Sequence, residues 1–234
     1  MVINLQTLLN LDVILAIFFS LVTFGVAIYS LKVYSISQAR TAKLFGIGFL
    51  LIAIAYILWA MLNIFVLSQT LTKLNYLFSI SPTSESFIVI TLFIGFFLAG
   101  LSMLAYTAIK KEKRSLFILI TTLAYFAVGM SRDIAFSFFL ITSIILIFIT
   151  VSYFREYSLN RNKTTLTIAI AFLLLTFSNI EFLMSSIDSS LYNIGYITGL
   201  IAYLLILISL TKIMRKSKTG VFNETLKENG EKKK

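Results

Sequence analysis

Residues 34–61 read YSISQARTAKLFGIGFLLIAIAYILWAM, a short polar segment that leads into an unbroken apolar run. A helix of about 20 apolar residues crosses the ~30 Å of hydrocarbon in a bilayer. The apolar residues are continuous and do not alternate with polar ones, as they would in a membrane β-strand. The segment therefore predicts a membrane-spanning helix that begins beside a basic loop.

Seven apolar stretches of this kind make up most of the 234 residues. They run over 11–31, 44–66, 87–109, 115–131, 134–154, 165–187 and 190–213. The fourth is the shortest and lies between Arg114 and Arg132, so we expect it to cross the bilayer nearly upright. The sequence predicts an all-α membrane protein whose domain, residues 1–214, has seven transmembrane helices.

The basic residues predict the orientation of these helices. Of the 20 lysines and arginines, only Lys73 and Arg132 fall in loops on the side of the N-terminus. Because basic loops stay in the cytoplasm, we expect a multi-pass protein of the cell membrane with its N-terminus outside and its C-terminus inside. Topology also explains the net charge of +10, so no nucleic-acid partner is expected. Residues 215–234 are predicted to form a basic, disordered cytoplasmic tail.

The chain matches itself at an offset of 123 residues. Residues 34–61 align without gaps on residues 157–184, YSLNRNKTTLTIAIAFLLLTFSNIEFLM, and Tyr34 falls on Tyr157. The polar loop residues keep this register as well as the apolar ones. The match indicates an internal duplication.

The third and seventh helices align at a different offset, which pairs Gly95 with Gly199. We therefore predict two parallel repeats of three helices each, over 11–109 and 134–213. Three helices reverse the side of the membrane, so two copies in one orientation need an extra crossing between them. The helix over 115–131 supplies that crossing, and the predicted architecture is 3+1+3.

This layout resembles the SWEET and PQ-loop transporters, although the prolines of their early helices are absent and the one proline is Pro82. It resembles the microbial rhodopsins more loosely. The nearest lysine to the middle of helix seven is Lys212, at its cytoplasmic end, so no retinal Schiff base is expected.

The apolar run within 34–61 and the run LYNIGYITGLIAYLLILISLTKIMRK over 191–216 resemble two further groups. These are the small seven-helix membrane proteins of archaea and the seven-helix sensory regions that precede some prokaryotic histidine kinases. The resemblance implies a sensor that passes a signal to a separate cytoplasmic protein through its basic loops and tail.

The chain has no cysteine and no histidine. This composition excludes thiol catalysis, haem ligation through histidine, and zinc sites built from these residues. No nucleophile with a base and no phosphate-binding glycine loop is present, so neither an enzyme nor a cofactor or metal is expected.

Polar side chains concentrate at the predicted outer end of the helices and mark a candidate ligand pocket. Glu181 stands out because a carboxylate inside an apolar segment is costly and needs a partner or a wet cavity. We expect Arg132 to meet it; the alternatives are that Glu181 reaches the lipid headgroups or couples an ion. The candidate pocket residues are Asp12, Asn63, Arg132, Asp133, Asn179, Glu181 and Asn193.

Two further patterns each have two interpretations. Gly195 and Gly199 form a GxxxG pattern with Gly95 as a counterpart in the third helix, which favours close packing within the chain over dimerisation. Tyrosines and the tryptophan near the outer interface favour an aromatic belt over a ligand cage. The outer aromatic residues are Tyr56, Trp59, Tyr76, Tyr192 and Tyr196.

Two functions remain open on the sequence. One is a receptor, sensor or scaffold that lies in the lipid bilayer and binds a small molecule or lipid in an outward-facing pocket. The other is a small-solute transporter built on the 3+1+3 plan. A closed apolar midplane beneath an outer pocket favours the first function, and a polar cavity that reaches the midplane favours the second.

Overall fold

The computed structural model describes residues 5–72, 84–109, 114–185, 188 and 190–231, with side chains described in 12–64, 88–109, 118–185, 188 and 190–214. The regular structure in these ranges is helical throughout, which confirms the all-α prediction. α7 continues to Glu231 and includes most of the segment for which the sequence predicts a disordered tail. The helices are α1 (Leu5–Ser37), α2 (Arg40–Thr72), α3 (Ser84–Ile109), α4 (Arg114–Gly129), α5 (Ile134–Asn160), α6 (Lys163–Met184) and α7 (Ser190–Glu231).

Six helices have the length and composition of membrane spans. All except α4 carry apolar segments of 22 to 27 residues. Large apolar side chains also lie exposed on the outside of the bundle: Ile14 is 66%, Leu123 69% and Ile197 61% exposed. Soluble proteins avoid such continuous apolar surface, whereas lipid tails favour it. The fold therefore belongs to the class of helical, multi-pass membrane proteins.

The six long helices form a closed ring. α1 packs against α2 and α7, α2 packs against α3, α3 against α5, and α6 joins α5 to α7. α4 lies outside this ring, on α3 and α5. The core is consequently the space enclosed by the six long helices.

α4 runs back along α3 from one end of the bundle to the other. It starts five residues after the end of α3, and its last turns, at Tyr125 and Gly129, meet the beginning of α3 at Ile90 and Ile94. α4 has 16 residues, a length of about 24 Å. The odd-numbered helices therefore begin at one end of the bundle, which we call the Asp12 end, and finish at the opposite Lys32 end.

The same unusual turn follows α1 and α5. Gln38 has a φ of 53° and Arg161 a φ of 50°, and they are the two non-glycine residues with positive φ in the described part of the chain. Each donates its backbone N–H over 2.8 Å to the carbonyl of a tyrosine four residues earlier, Tyr34 or Tyr157. A left-handed non-glycine residue is uncommon, yet the two turns lie 123 residues apart, the offset of the sequence match.

Burial follows the same offset in the helices beside these turns. Val26 in α1 and Ile149 in α5 are both completely buried, as are Phe49 in α2 and Phe172 in α6. Positions that face outward also correspond, since Leu21 is 64% exposed and Ile144 is 58% exposed. Equivalent positions thus face the core and the exterior in the two halves.

The glycines of the GxxxG pattern pack within the chain. A Cβ atom at Gly199 would lie 2.9 Å from Ser178 Oγ, and one at Gly195 would lie 3.2 Å from the ring of Phe182. Both neighbours belong to α6, so the absence of a side chain allows α6 and α7 to approach closely. Gly95 instead faces Tyr125 of α4 at 3.5 Å, an ordinary contact distance.

Among the described glycines, the closest contacts lie between α2 and α3, at Gly48 and Gly100. A Cβ atom at Gly100 would lie 2.7 Å from the carbonyl oxygen of Gly48 and 2.7 Å from Ile52 Cγ1. Gly48 and Gly100 do not belong to a GxxxG pattern, so the sequence does not indicate this pair. Only the register of α2 on α3 brings them together.

Candidate functional site

The ring encloses a cavity of about 450 Å³ at the Asp12 end. This volume falls within the ~300–1,000 Å³ of typical small-molecule sites. All six long helices contribute to its wall, and eleven of the 21 lining residues are aromatic. The aromatic residues are Phe19, Tyr56, Trp59, Phe93, Phe97, Phe138, Phe139, Phe182, Tyr192, Tyr196 and Tyr203.

Seven of these side chains form a closed series of ring contacts around the cavity. Each helix of the ring supplies at least one of them, and successive centroids lie 5.0 to 5.8 Å apart, the usual spacing of interacting aromatic pairs. We call these residues the aromatic circle. In order they are Phe19, Tyr56, Phe97, Phe138, Phe139, Phe182 and Tyr196, which contacts Phe19 again.

The polar groups in the cavity wall mostly bond to one another. The hydroxyls of Tyr56 and Tyr203 lie 3.2 Å apart, and Ser178 donates to the carbonyl of Gly195 at 2.7 Å. Asn179 donates to the carbonyl of Leu175 and accepts from Thr142. A wall with satisfied polar groups and aromatic faces favours an apolar occupant.

The mouth of the cavity carries a hydrogen-bonded carboxylate. Tyr192 donates its hydroxyl to Oδ2 of Asp12 at 3.0 Å, and the hydroxyls of Tyr192 and Tyr196 also lie 3.0 Å apart. Asp12 precedes Ala16, a lining residue, by four positions and so lies one turn above it on the same face of α1. Its second oxygen, Oδ1, is buried and has no hydrogen-bond partner.

Packed aromatic side chains close the cavity toward the Lys32 end. Tyr203 contacts Phe49 with ring centroids 6.3 Å apart, and Phe49 contacts Phe45 at 4.9 Å. Phe172 packs against Phe45 from α6 and stacks on Tyr153 of α5. These aromatic side chains therefore form a plug beneath the cavity.

A second cavity of about 260 Å³ lies between α3, α4 and α5. It shares Ile90, Ile94 and Ile134 with the aromatic cavity. These three isoleucines form the wall between the two spaces. The aromatic cavity thus has an apolar side wall next to the peripheral helix α4.

The structure places two of the predicted pocket residues in or near the cavity. Asn179 lies in its wall, and Asp12 stands at its mouth through the bond to Tyr192. Asp133 instead caps α5, where its carboxylate accepts from the backbone N–H of Phe136 at 3.0 Å.

The other four predicted residues do not line the cavity. Arg132 and Asn193 are exposed, and Asn63 is buried with its Nδ2 atom unpartnered. Glu181 is partly buried, and its Oε2 atom has no hydrogen-bond partner. No ion pair joins Glu181 to Arg132, although the structure describes both side chains. The expected pairing is therefore not formed.

The aromatic residues assigned to an interfacial belt line the cavity instead. Tyr56, Trp59, Tyr192 and Tyr196 lie in the cavity wall, a position that the belt interpretation does not predict and the ligand-cage alternative does. Tyr76 lies outside the described residues. A signal was present in the sequence: the tyrosines and Gly199 recur in α7 at i, i+4, i+7 and i+11, a spacing that places them on one face of a helix.

The fold and the cavity together define a helical, multi-pass membrane protein with an aromatic cavity of ligand size. No protein family, curated protein or solved structure matches the chain. The resemblances to transporters and to archaeal and sensory seven-helix proteins therefore stay predictions. The functional argument rests on the geometry of the cavity.

Proposed function

We propose that this protein is a receptor-like membrane protein that binds an apolar small molecule in the aromatic cavity. The observation that carries the proposal is the cavity itself, which has the volume of a ligand site and an aromatic wall from six helices. The plug formed by Phe45, Phe49 and Phe172 beneath it favours binding over passage. Basic residues at the Lys32 end would then contact a cytoplasmic partner that receives the signal. No catalytic role is assigned to any residue.

We infer that the Asp12 end faces the exterior of the cell. Lys32, Lys43, Arg155 and Lys163 lie at the opposite end of the bundle, where the positive-inside rule places the cytoplasm. This orientation requires α4 to cross the bilayer, since α3 ends at the cytoplasmic side and α5 begins outside. A helix of 16 residues is short for this task, so the bilayer must thin or the flanking arginines must reach outward.

We also infer the 3+1+3 duplication, with α1–α3 and α5–α7 as the repeated units. The paired turns at Gln38 and Arg161 and the matching burial of α1 with α5 support it. The two contacts between the units, α1 with α7 and α3 with α5, exchange with each other under a twofold rotation. The cavity then lies on the axis between the units.

The same symmetry favours a transporter as the second candidate function. A site on the axis between two repeats is where secondary transporters bind their substrates. A transporter must, however, open the plug at the Lys32 end during its cycle. Uptake of a bound probe into sealed proteoliposomes would select the transporter, whereas saturable binding without uptake would select the receptor.

The orientation predicts which introduced cysteines react from outside the cell. The chain has no cysteine, so single-cysteine variants carry no background. Ser190→Cys, an exposed position at the start of α7, is expected to react with a membrane-impermeant maleimide in intact cells. Ser37→Cys, exposed at the end of α1, is expected to react only after permeabilisation. The reverse pattern would invert the orientation, and labelling of both in intact cells would contradict a two-sided bundle.

Trp59 provides a direct test of binding. It is the only tryptophan in the chain, lines the cavity, and lies 5.0 Å from Phe93 between ring centroids. An apolar probe that carries a bromine atom, such as 1-bromonaphthalene, is expected to quench its fluorescence saturably in phosphatidylcholine nanodiscs. Linear quenching that a tryptophan peptide in the same bilayer reproduces would refute the proposed site.

A further inference from the structure

The aromatic cavity has one carboxylate at its mouth, and the surroundings of that carboxylate indicate what kind of ligand the cavity binds. Asp12 lies on the same face of α1 as Ala16 and Phe19, both of which line the cavity. Tyr192 holds Oδ2 in place by donating to it at 3.0 Å. The side chain is therefore oriented by the wall of the cavity.

The other oxygen of Asp12 lacks a donor. Oδ1 is buried, and no described residue donates to it or forms an ion pair with Asp12. A buried carboxylate oxygen is stabilised by a charged donor far more than by a neutral one. The described cation at this end of the bundle is Arg132, which is exposed and makes no ion pair with Asp12. No described cation therefore compensates the charge of Asp12.

The aromatic wall favours the same sign of charge. Tyrosine and tryptophan faces attract cations within about 6 Å of the ring centroid. Tyr192 and Tyr196 lie next to Asp12, with ring centroids 5.0 Å apart, and their hydroxyls join the carboxylate in one hydrogen-bonded chain. A carboxylate beside two tyrosine rings suits a small positively charged group.

We propose that the cavity binds a protonated amine with an apolar body, whose ammonium group pairs with the carboxylate of Asp12 while the body lies inside the aromatic circle. The inference rests on the proposed binding function and adds the chemical class of the ligand. It assigns Asp12 to recognition of charge and the aromatic residues to recognition of the apolar body.

Three probes that share an apolar phenylalkyl body and differ in the terminal group test this inference: 4-phenylbutylamine, 4-phenylbutanol and 4-phenylbutyrate. Their binding is followed by the fluorescence of Trp59 in nanodiscs of zwitterionic phosphatidylcholine. The amine is expected to bind at least about tenfold more tightly than the alcohol, and the carboxylate most weakly. In Asp12→Asn the amine should lose its advantage and bind within about twofold of the alcohol.

The matched control is Asp133→Asn, at a second aspartate of this end. Asp133 caps α5 and makes no hydrogen bond to a described side chain of the cavity wall, whereas Asp12 accepts from Tyr192. Asparagine caps a helix as well as aspartate does, so the preference for the amine should persist. If Asp12→Asn fails to fold, the series on the parent protein still decides the question.

The outcomes separate the two proposals. If the alcohol and the amine bind equally to the parent, or if Asp12→Asn keeps the preference, the amine inference is refuted while the cavity remains a binding site. If none of the three probes changes Trp59 fluorescence saturably, both proposals fail.

Discussion

Replacement of Gly100 by alanine is expected to lower the thermal unfolding temperature of the purified protein by about 2–12 °C. The new Cβ atom would lie 2.7 Å from the carbonyl oxygen of Gly48 and 3.2 Å from the backbone nitrogen of Ile52. These are backbone atoms of α2, so the two helices must separate. Overpacking of this kind costs about 1–3 kcal/mol, and each kcal/mol shifts the unfolding temperature by about 2–4 °C in a chain of this size.

Two further alanine variants provide the controls for this prediction. Gly48→Ala should destabilise less, because its Cβ atom would meet side-chain atoms of Leu104 at 3.0 Å and a carbonyl at 3.1 Å. A Cβ atom at Gly129 would have no heavy atom within 4 Å, so Gly129→Ala should leave the unfolding temperature unchanged or raise it slightly. Equal unfolding temperatures for the Gly100 and Gly129 variants would show that α2 and α3 do not approach as closely as described.

Ala16→Phe is expected to weaken probe binding at least about tenfold without unfolding the protein. Ala16 is almost fully buried in the cavity wall, one turn below Asp12. A benzyl group at this position would occupy space that a ligand needs, and because it would enter an existing cavity rather than a packed core, we expect little overpacking. The measurement is the saturable quenching of Trp59, together with the unfolding temperature of each variant.

The control is Ile14→Phe on the same helix. Ile14 is 66% exposed and faces away from the core, so a larger ring there should leave both binding and stability unchanged. Unaltered probe affinity in the Ala16 variant, with Trp59 still quenched, would place the probe outside the aromatic cavity. Loss of binding in both variants would point to an effect on the fold of α1.

Much of the fold could be predicted from the sequence because the lipid bilayer restricts the backbone structures that can cross it. A lipid environment demands that each crossing segment satisfy its own backbone, so continuous apolar runs must be helices. The runs over 134–154 and 190–213 accordingly lie within α5 and α7. The offset of 123 residues aligns Tyr34 with Tyr157 in the sequence. In the structure, the backbone carbonyl of each tyrosine accepts the corresponding turn hydrogen bond.

The candidate site was less predictable, because a tyrosine in an apolar helix has two favourable positions. At the end of a helix it can lie at the membrane interface or turn inward, and both positions satisfy its ring and its hydroxyl. Tyr56 and Tyr196 turn inward because they lie on the faces of α2 and α7 that line the cavity between the six long helices. Glu181 is the main candidate on the sequence because of its charge in an apolar segment, yet it does not line the cavity.

The length and apolarity of each segment are local properties, so a bundle of membrane-length helices can be predicted from the residues alone. Which faces of those helices meet is a property of the tertiary structure. The closure of six helices into a ring, the approach of Gly48 to Gly100, and the aromatic cavity beneath Asp12 all depend on the rotation and register of one helix against another. In a chain whose helices are apolar on every side, hydrophobic periodicity does not encode that rotation, and close packing of small and aromatic side chains sets it.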